Sequence, residues 1–170
     1  MAERVLITGG AGFIGSHIAD ELLRRGYRVR ALDNLASQVH GSDRSRPVYL
    51  NSEVEFVDGD VRDSVTVRKA LNGTDAVYHL ASAVGVGQSM YEIARYTEIN
   101  NVGTAVLLEA LIERPVRRLI VASSMSLYGE GLYASADGTK WTDVVRTPEQ
   151  LRARDWELRA PNGVDRKSVV

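Results

Sequence analysis

A doubly wound α/β domain built on a parallel sheet is the fold class this sequence predicts. Three observations carry that prediction. Short Val/Ile/Leu-rich runs recur through the first 125 residues, segments with helical spacing fill the intervals between them, and the first run leads straight into a glycine-rich turn. The first run is Arg4 to Thr8. Phe13 to Arg25 follows as a helix, with Ile14, Ile18 and Leu22 at helical spacing and Gly26 as its stop. Further buried-strand runs lie at Arg28 to Leu32, Val54 to Val57, Ala76 to Leu80 and Arg118 to Ala122. Between them fall helices over Ser64 to Leu71 and over Gln88 to Glu113, the longer one interrupted near Asn100. Pro115 cannot continue that helix and aims the chain into the fifth strand.

Composition narrows the class of function. The 170 residues are 44% hydrophobic and 25% charged, which excludes disordered and collagen-like chains. A net charge of -1 leaves no electrostatic term for nucleic acid or an anionic membrane, so neither is expected as a partner. There is no cysteine, and His17, His40 and His79 are scattered, so no metal site is expected and a reducing, cytoplasmic setting fits. The apolar run after Glu3-Arg4, Val5 to Ile7, falls far short of the roughly 18 residues of a membrane span, and no signal peptide is expected. Beyond Gly129 the periodicity weakens. The reading divides the chain into a domain over 1–129 and an irregular tail or loop region over 130–170, with a short helix from Pro148 to Asp155 and turn chemistry at Pro161-Asn162-Gly163.

The strongest chemical signal is Thr8-Gly9-Gly10-Ala11-Gly12-Phe13-Ile14-Gly15, set between a strand and a helix. Glycine permits the sharp turn, the approach of backbone N–H groups to a pyrophosphate and close helix-to-strand packing, while the helix N-terminus offers unpaired donors to an anion. The segment therefore reads as a Rossmann-type dinucleotide site, with Gly9, Gly12, Phe13, Ile14 and Gly15 at the cofactor. Asp33 ends the second strand 24 positions after Gly9, close to the spacing of about 20 of the acidic ribose binder. Its carboxylate accepts from ribose hydroxyls and repels a 2′-phosphate, and the next residue is Asn34 rather than a basic one, so NAD is favoured over NADP. Asp60-Val61 follows the third strand, where the carboxylate either accepts from the adenine amino group, with the valine covering the ring, or simply forms a turn.

At the fourth strand, His79 reads as a packed histidine, and the small residues of Leu80-Ala81-Ser82 leave room for the nicotinamide ribose at the carboxyl edge. Asn100 interrupts the helical pattern and can hold a water or the backbone at a kink. The fifth strand ends in Ser123-Ser124-Met125-Ser126-Leu127-Tyr128-Gly129, a donor set for a substrate oxygen or a hydroxyl-rich turn. No G-x-S-x-G frames Ser124 as a triad nucleophile.

Taken in order, the Thr8 to Gly15 fingerprint, Asp33-Asn34, Asp60-Val61, His79 to Ala81, Asn100 with Gly103-Thr104, and Ser123 to Gly129 resemble the extended short-chain dehydrogenase/reductase superfamily, in its nucleotide-sugar epimerase/dehydratase branch. The resemblance runs over about residues 3 to 160. Gln38-Val39-His40-Gly41, Ala83 to Tyr91 and Gly129 to Tyr133 look most like the branch that acts on dTDP-L-rhamnose at C4. The resemblance implies bound NAD, which takes a hydride from C4 of a nucleotide sugar and returns it to the other face of a 4-keto intermediate. Ser124 then stands where the family places the hydrogen-bonding partner of the 4-hydroxyl, and Ser123 beside the cofactor.

The chain departs from that pattern at the base. The family uses the tyrosine of Y-x-x-x-K, and none of the seven tyrosines here has lysine four residues on; Tyr91-x-x-x-Arg95 comes nearest but precedes the fifth strand. Met125-Ser126 occupies the places of the acid pair used by the family's dehydratases, which disfavours dehydration. The expectation is an incomplete fold lacking its C-terminal substrate domain, a truncated cofactor-binding part inactive alone. The resemblance also implies a homodimer, of whose two interface helices only Gln88 to Glu113 is present. The competing readings are a non-catalytic NAD-binding sensor or interaction module, and a dehydratase or stand-alone reductase using Tyr128 or Tyr133.

Overall fold

The computed structural model describes residues 2–124, 127, 132–135, 137–142, 145–158 and 166–168. Met125, Ser126, Tyr128, Gly129 to Gly131 and Pro161 to Gly163 lie outside the described residues, and with them the expectations placed on those positions. By its internal contacts the chain forms two units, 1–122 and 123–170.

The first unit carries five parallel strands: β1 (Arg4–Thr8), β2 (Arg28–Asp33), β3 (Glu55–Asp58), β4 (Ala76–His79) and β5 (Arg118–Val121), in the sheet order β3-β2-β1-β4-β5. Two-residue periodicity sorts the side chains of β1 to opposite faces. Val5 and Ile7 join Ala19 and Leu22 of α1 (Phe13–Arg24) in one core, with Val29 and Ala31 of β2. Leu6 enters the other with Leu32 and Val77, covered by Val67 and Ala70 of α3 (Ser64–Ala70) and by Leu107 and Ala110 of α6 (Gly103–Glu113). Helices on both faces are the reason the strands read as continuous apolar runs.

Local chemistry sets the helix ends. Gly26, with φ +82°, takes the left-handed turn just past α1. At α3 the Asp63 carboxylate accepts from the Val65 N–H at 3.0 Å, an N-cap. After β2 comes the single turn α2 (Ser37–His40), and after β4 come α4 (Val86–Ser89) and α5 (Ile93–Tyr96). The long helix expected from Gln88 begins at Ile93 instead, with α4 standing apart; α5, a π-helical turn over Thr97–Val102 and α6 (Gly103–Glu113) run on continuously to Glu113, and the π-helical turn is the interruption expected near Asn100. At Gly103, the first residue of α6, a Cβ would meet Val61 Cγ2 at 2.7 Å, so the helix lies close against the residue that follows Asp60.

The second unit holds a small antiparallel sheet that weak periodicity did not predict. It contains β6 (Tyr133–Ser135), β7 (Lys140–Trp141) and β8 (Arg166–Ser168) in the order β7-β6-β8. Its helix α7 (Pro148–Arg152) is shorter than expected and starts in a capping box between Thr147 and Gln150. Among the described residues no helix is long and apolar enough to cross a membrane.

Candidate functional site

The turn after β1 is knitted to the end of β4. Thr8 Oγ1 accepts from the N–H groups of Leu80 and Ala81, both at 3.2 Å, and lies 2.7 Å from His79 Nδ1. Gly9 adopts φ +69°, and a Cβ there would come within 2.8 Å of the Ala81 nitrogen; a Cβ on Gly15 would overlap the Gly9 carbonyl oxygen. Both glycines are required by close backbone approach. The first hydrogen bond of α1 runs from Ser16 N–H to Gly12 O (2.9 Å), which leaves the N–H groups of Phe13, Ile14 and Gly15 ahead of it. Gly12 caps without a side chain and no acidic residue stands in the first turn, so this helix end keeps its partial positive charge.

Asp33 closes β2 facing the same space. Its carboxylate accepts from Ala11 N–H and from Leu35 N–H, each at 3.0 Å, which fixes the side chain while leaving lone pairs for a further donor. Two residues that spacing alone did not assign to the site come back to this corner, His40 to Asp33 and Tyr49 to Ala11. His40 Nε2 stands 3.7 Å from the Asp33 Oδ1, and the Tyr49 hydroxyl donates to the Ala11 carbonyl at 2.8 Å. Burial and then the Asp33 charge raise the Tyr49 phenol above its ordinary range, which keeps it a donor. A basic side chain also reaches Asn34: Arg44 Nη2 donates to its carbonyl at 3.1 Å, although Arg44 is ten residues on.

Asp60 acts as the turn former, one of the two roles read from its sequence position, and its carboxylate is further engaged by neighbouring side chains. It accepts from Arg62 N–H at 2.9 Å as a turn former does, and from Arg62 Nε (2.9 Å), Arg62 Nη2 (2.8 Å) and Asn34 Nδ2 (3.0 Å). The Arg62 guanidinium above all holds its carboxyl down at about 2. His79 is buried between Thr8 and Thr104 (Nε2 to Oγ1, 2.9 Å), and burial pushes its imidazole pKa down, consistent with a packed residue. Asn100 holds backbone, as one of its two expected roles had it. Its Oδ1 accepts from Ala83 N–H at 2.8 Å and its Nδ2 donates to Ala83 O at 3.1 Å, so it fastens the loop after β4 from within the π-helical turn.

These elements enclose one crevice at the carboxyl ends of β1, β2 and β4. Gly9, Gly12, Asp33, Asn34, Asp60, Val61, Leu80, Ala81 and Ser82 all line it. Gln38, Val39, His40, Arg95 and Ile99 line it too; none carries a spacing that points to the site on its own. The side chains of Phe13 and Ile14 turn elsewhere, into a separate groove beside Tyr78 and Arg118, so only their backbone can serve the crevice. Gly15 and Asn100 support it from behind by packing and by the Ala83 contacts. Ser123 and Ser124 are exposed residues at the start of the second unit. Among the described residues no three His, Asp or Glu side chains group as a metal site.

The parallel sheet, its two helical layers and the glycine turn define a Rossmann-like fold of the short-chain dehydrogenase/reductase type. The family model for the NAD dependent epimerase/dehydratase family matches residues 5–147, and the chain belongs to that family. It is 37% identical over 160 residues to the dTDP-L-rhamnose 4-epimerase of Burkholderia thailandensis, covering 92% of this chain and 44% of that protein. To the UDP-glucose 4-epimerase of Neisseria meningitidis serogroup C it is 37% identical over 131 residues, 75% of this chain and 38% of that one. Among solved structures, the Brucella ovis UDP-glucose 4-epimerase in complex with NAD superposes with a TM-score of 0.68 at 31% identity, over 82% of this chain and 42% of that chain. The chain thus spans less than half the length of these relatives.

Proposed function

We propose that this chain is the dinucleotide-binding part of an NAD-dependent nucleotide-sugar 4-epimerase. The observation that carries the reading is the single crevice shared by the glycine turn, the Asp33 carboxylate and Asp60-Val61. The residues suit the cofactor: backbone donors and a bare helix N-terminus for a pyrophosphate, a fixed acceptor at Asp33 for ribose hydroxyls, and an apolar edge at Val61 for the adenine. When bound, oxidised nicotinamide supplies the hydride acceptor for sugar C4 and later returns the hydride to the opposite face. Asp33 disfavours a 2′-phosphate by charge. Leu80, Ala81 and Ser82 leave space at the nicotinamide end, and Ser124 is the hydrogen-bonding partner of the 4-hydroxyl.

The reading favours a dTDP-L-rhamnose-type substrate, supported by the likeness to such an epimerase over 92% of this chain. Epimerisation is favoured over dehydration because Met125-Ser126 carries no acid or base. Without a lysine-assisted tyrosine, the 170 residues bind cofactor and do not turn substrate over. The test compares this chain with a form extended to the relatives' length, assayed for epimerisation, and titrates both with NAD+ and NADP+. Binding of NAD+ by both and turnover only by the longer form is expected. Tighter NADP+ binding would overturn the role given to Asp33, and turnover by the 170-residue chain would overturn the need for the missing base.

A further inference from the structure

Four side chains close a hydrogen-bonded ring beside the crevice, none of them part of the glycine or aspartate pattern. Arg95 Nη2 donates to Gln38 Oε1 (3.1 Å), Gln38 Nε2 to Gln88 Oε1 (2.9 Å), and Gln88 Nε2 to Glu92 Oε1 (2.9 Å); Arg95 Nη1 completes the ring on Glu92 Oε2. The Tyr96 hydroxyl adds a bond to Gln88 Oε1 at 3.0 Å. Both amides are engaged at both ends, so the ring has one self-consistent donor direction.

Topology gives the ring its meaning. Gln38 stands on α2 after β2, and the other three stand on or beside α4 and α5 after β4. β2 and β4 are the two neighbours of β1, so the ring ties together the segments on either side of the glycine turn. Gln38 and Arg95 line the crevice along with Gly9 and Gly12, and Arg95 is the one lysine or arginine among the lining residues. The backbone donors at the turn carry only partial charges. A pyrophosphate carries full ones, and a guanidinium fork matches its oxygens.

Resting on the dinucleotide reading, we propose that Arg95, held in place by Gln38, is the cationic contact for the cofactor's pyrophosphate. Glu92 tempers its charge and Gln38 aims it. The guanidinium also sits 6.0 Å from the centre of the Tyr96 ring, which limits its swing.

The test is calorimetric titration of the 170-residue chain with NAD+, ADP-ribose and adenosine, in the wild type, Arg95→Gln, Arg95→Lys and Glu92→Gln. Arg95→Gln is expected to weaken NAD+ and ADP-ribose by about 10- to 30-fold and adenosine by less than about twofold. Arg95→Lys recovers part of the loss, since it keeps the charge and not the fork. Glu92→Gln binds ADP-ribose at least as tightly as the wild type, and the salt dependence of ADP-ribose binding is smaller in Arg95→Gln. Equal losses on adenosine and ADP-ribose, weaker ADP-ribose binding by Glu92→Gln, or no loss in Arg95→Gln would each overturn the proposal while the dinucleotide reading stands. A wild-type chain that binds none of the three overturns both.

Discussion

β1 and β5 flank the same strand, β4, and are made of the same kinds of residue, Arg-Val-Leu-Ile-Thr against Arg-Leu-Ile-Val. Yet Val5 to Thr8 are all buried, whereas every residue of β5 is exposed, Leu119 by 36% and Val121 by 52%. The difference lies in covering rather than in composition. β1 has α1 on one face and the α3 and α6 layer on the other, whereas β5 is an edge strand of its sheet. Apolar runs therefore specify that a strand forms, and its neighbours decide how much it contributes. The crevice sits where covering is complete, at the ends of β1, β2 and β4.

The largest expected effect breaks the buried side. Leu6→Ala, at a fully buried position, should lose about 2–5 kcal/mol in urea unfolding, and Leu119→Ala less than about 1 kcal/mol. Equal losses would mean that β5 is as well covered in solution as β1. Next comes Asp33→Ala, which removes the acceptor of two backbone N–H groups and should cost about 1–3 kcal/mol of stability along with most of the NAD+ affinity.

The buried His79 gives the comparison a pH dependence. Its folded pKa is depressed by burial, so below the unfolded value of about 6.5 the unfolded chain binds the proton that the folded chain refuses. Stability present above that pH should fall as the solution is acidified through it, and His79→Asn should flatten this part of the profile; an unchanged profile would contradict the assignment. The smallest effect is expected on the exposed side. Val121→Lys should change stability by no more than about 0.5 kcal/mol and reduce self-association seen by light scattering.

Legibility followed sequence distance. The five strands and the glycine turn could be read because their signals are local: Val5 to Ile7 are consecutive, and Gly9 and Gly12 announce their turn within a few residues. The interruption at Asn100 was visible as a polar residue in a helical pattern, but its partner was not, because the Ala83 backbone lies 17 residues away. Gln38 and Arg95 meet across 57 residues, and glutamine and arginine on short amphipathic segments look like surface residues until the topology brings them together. The return of His40 to the Asp33 carboxylate and of Tyr49 to the Ala11 carbonyl has the same origin. The strands β6, β7 and β8 were missed because two or three residues are too few for alternation to register.

Asn100 offers Ala83 one acceptor and one donor, the same complement a neighbouring peptide would offer. A single side chain thereby stands in for one rung of a strand that does not exist, extending the order of β4 into the loop that follows it. Only an amide can play this part. A carboxylate would repel the Ala83 carbonyl, a lysine would confront the N–H with a second donor, and a leucine would leave both groups unmet. The loop after β4 is thus held by a synthetic rung whose loss would be felt along the lining residues Ser82, Ala83 and Val84 rather than in the sheet itself.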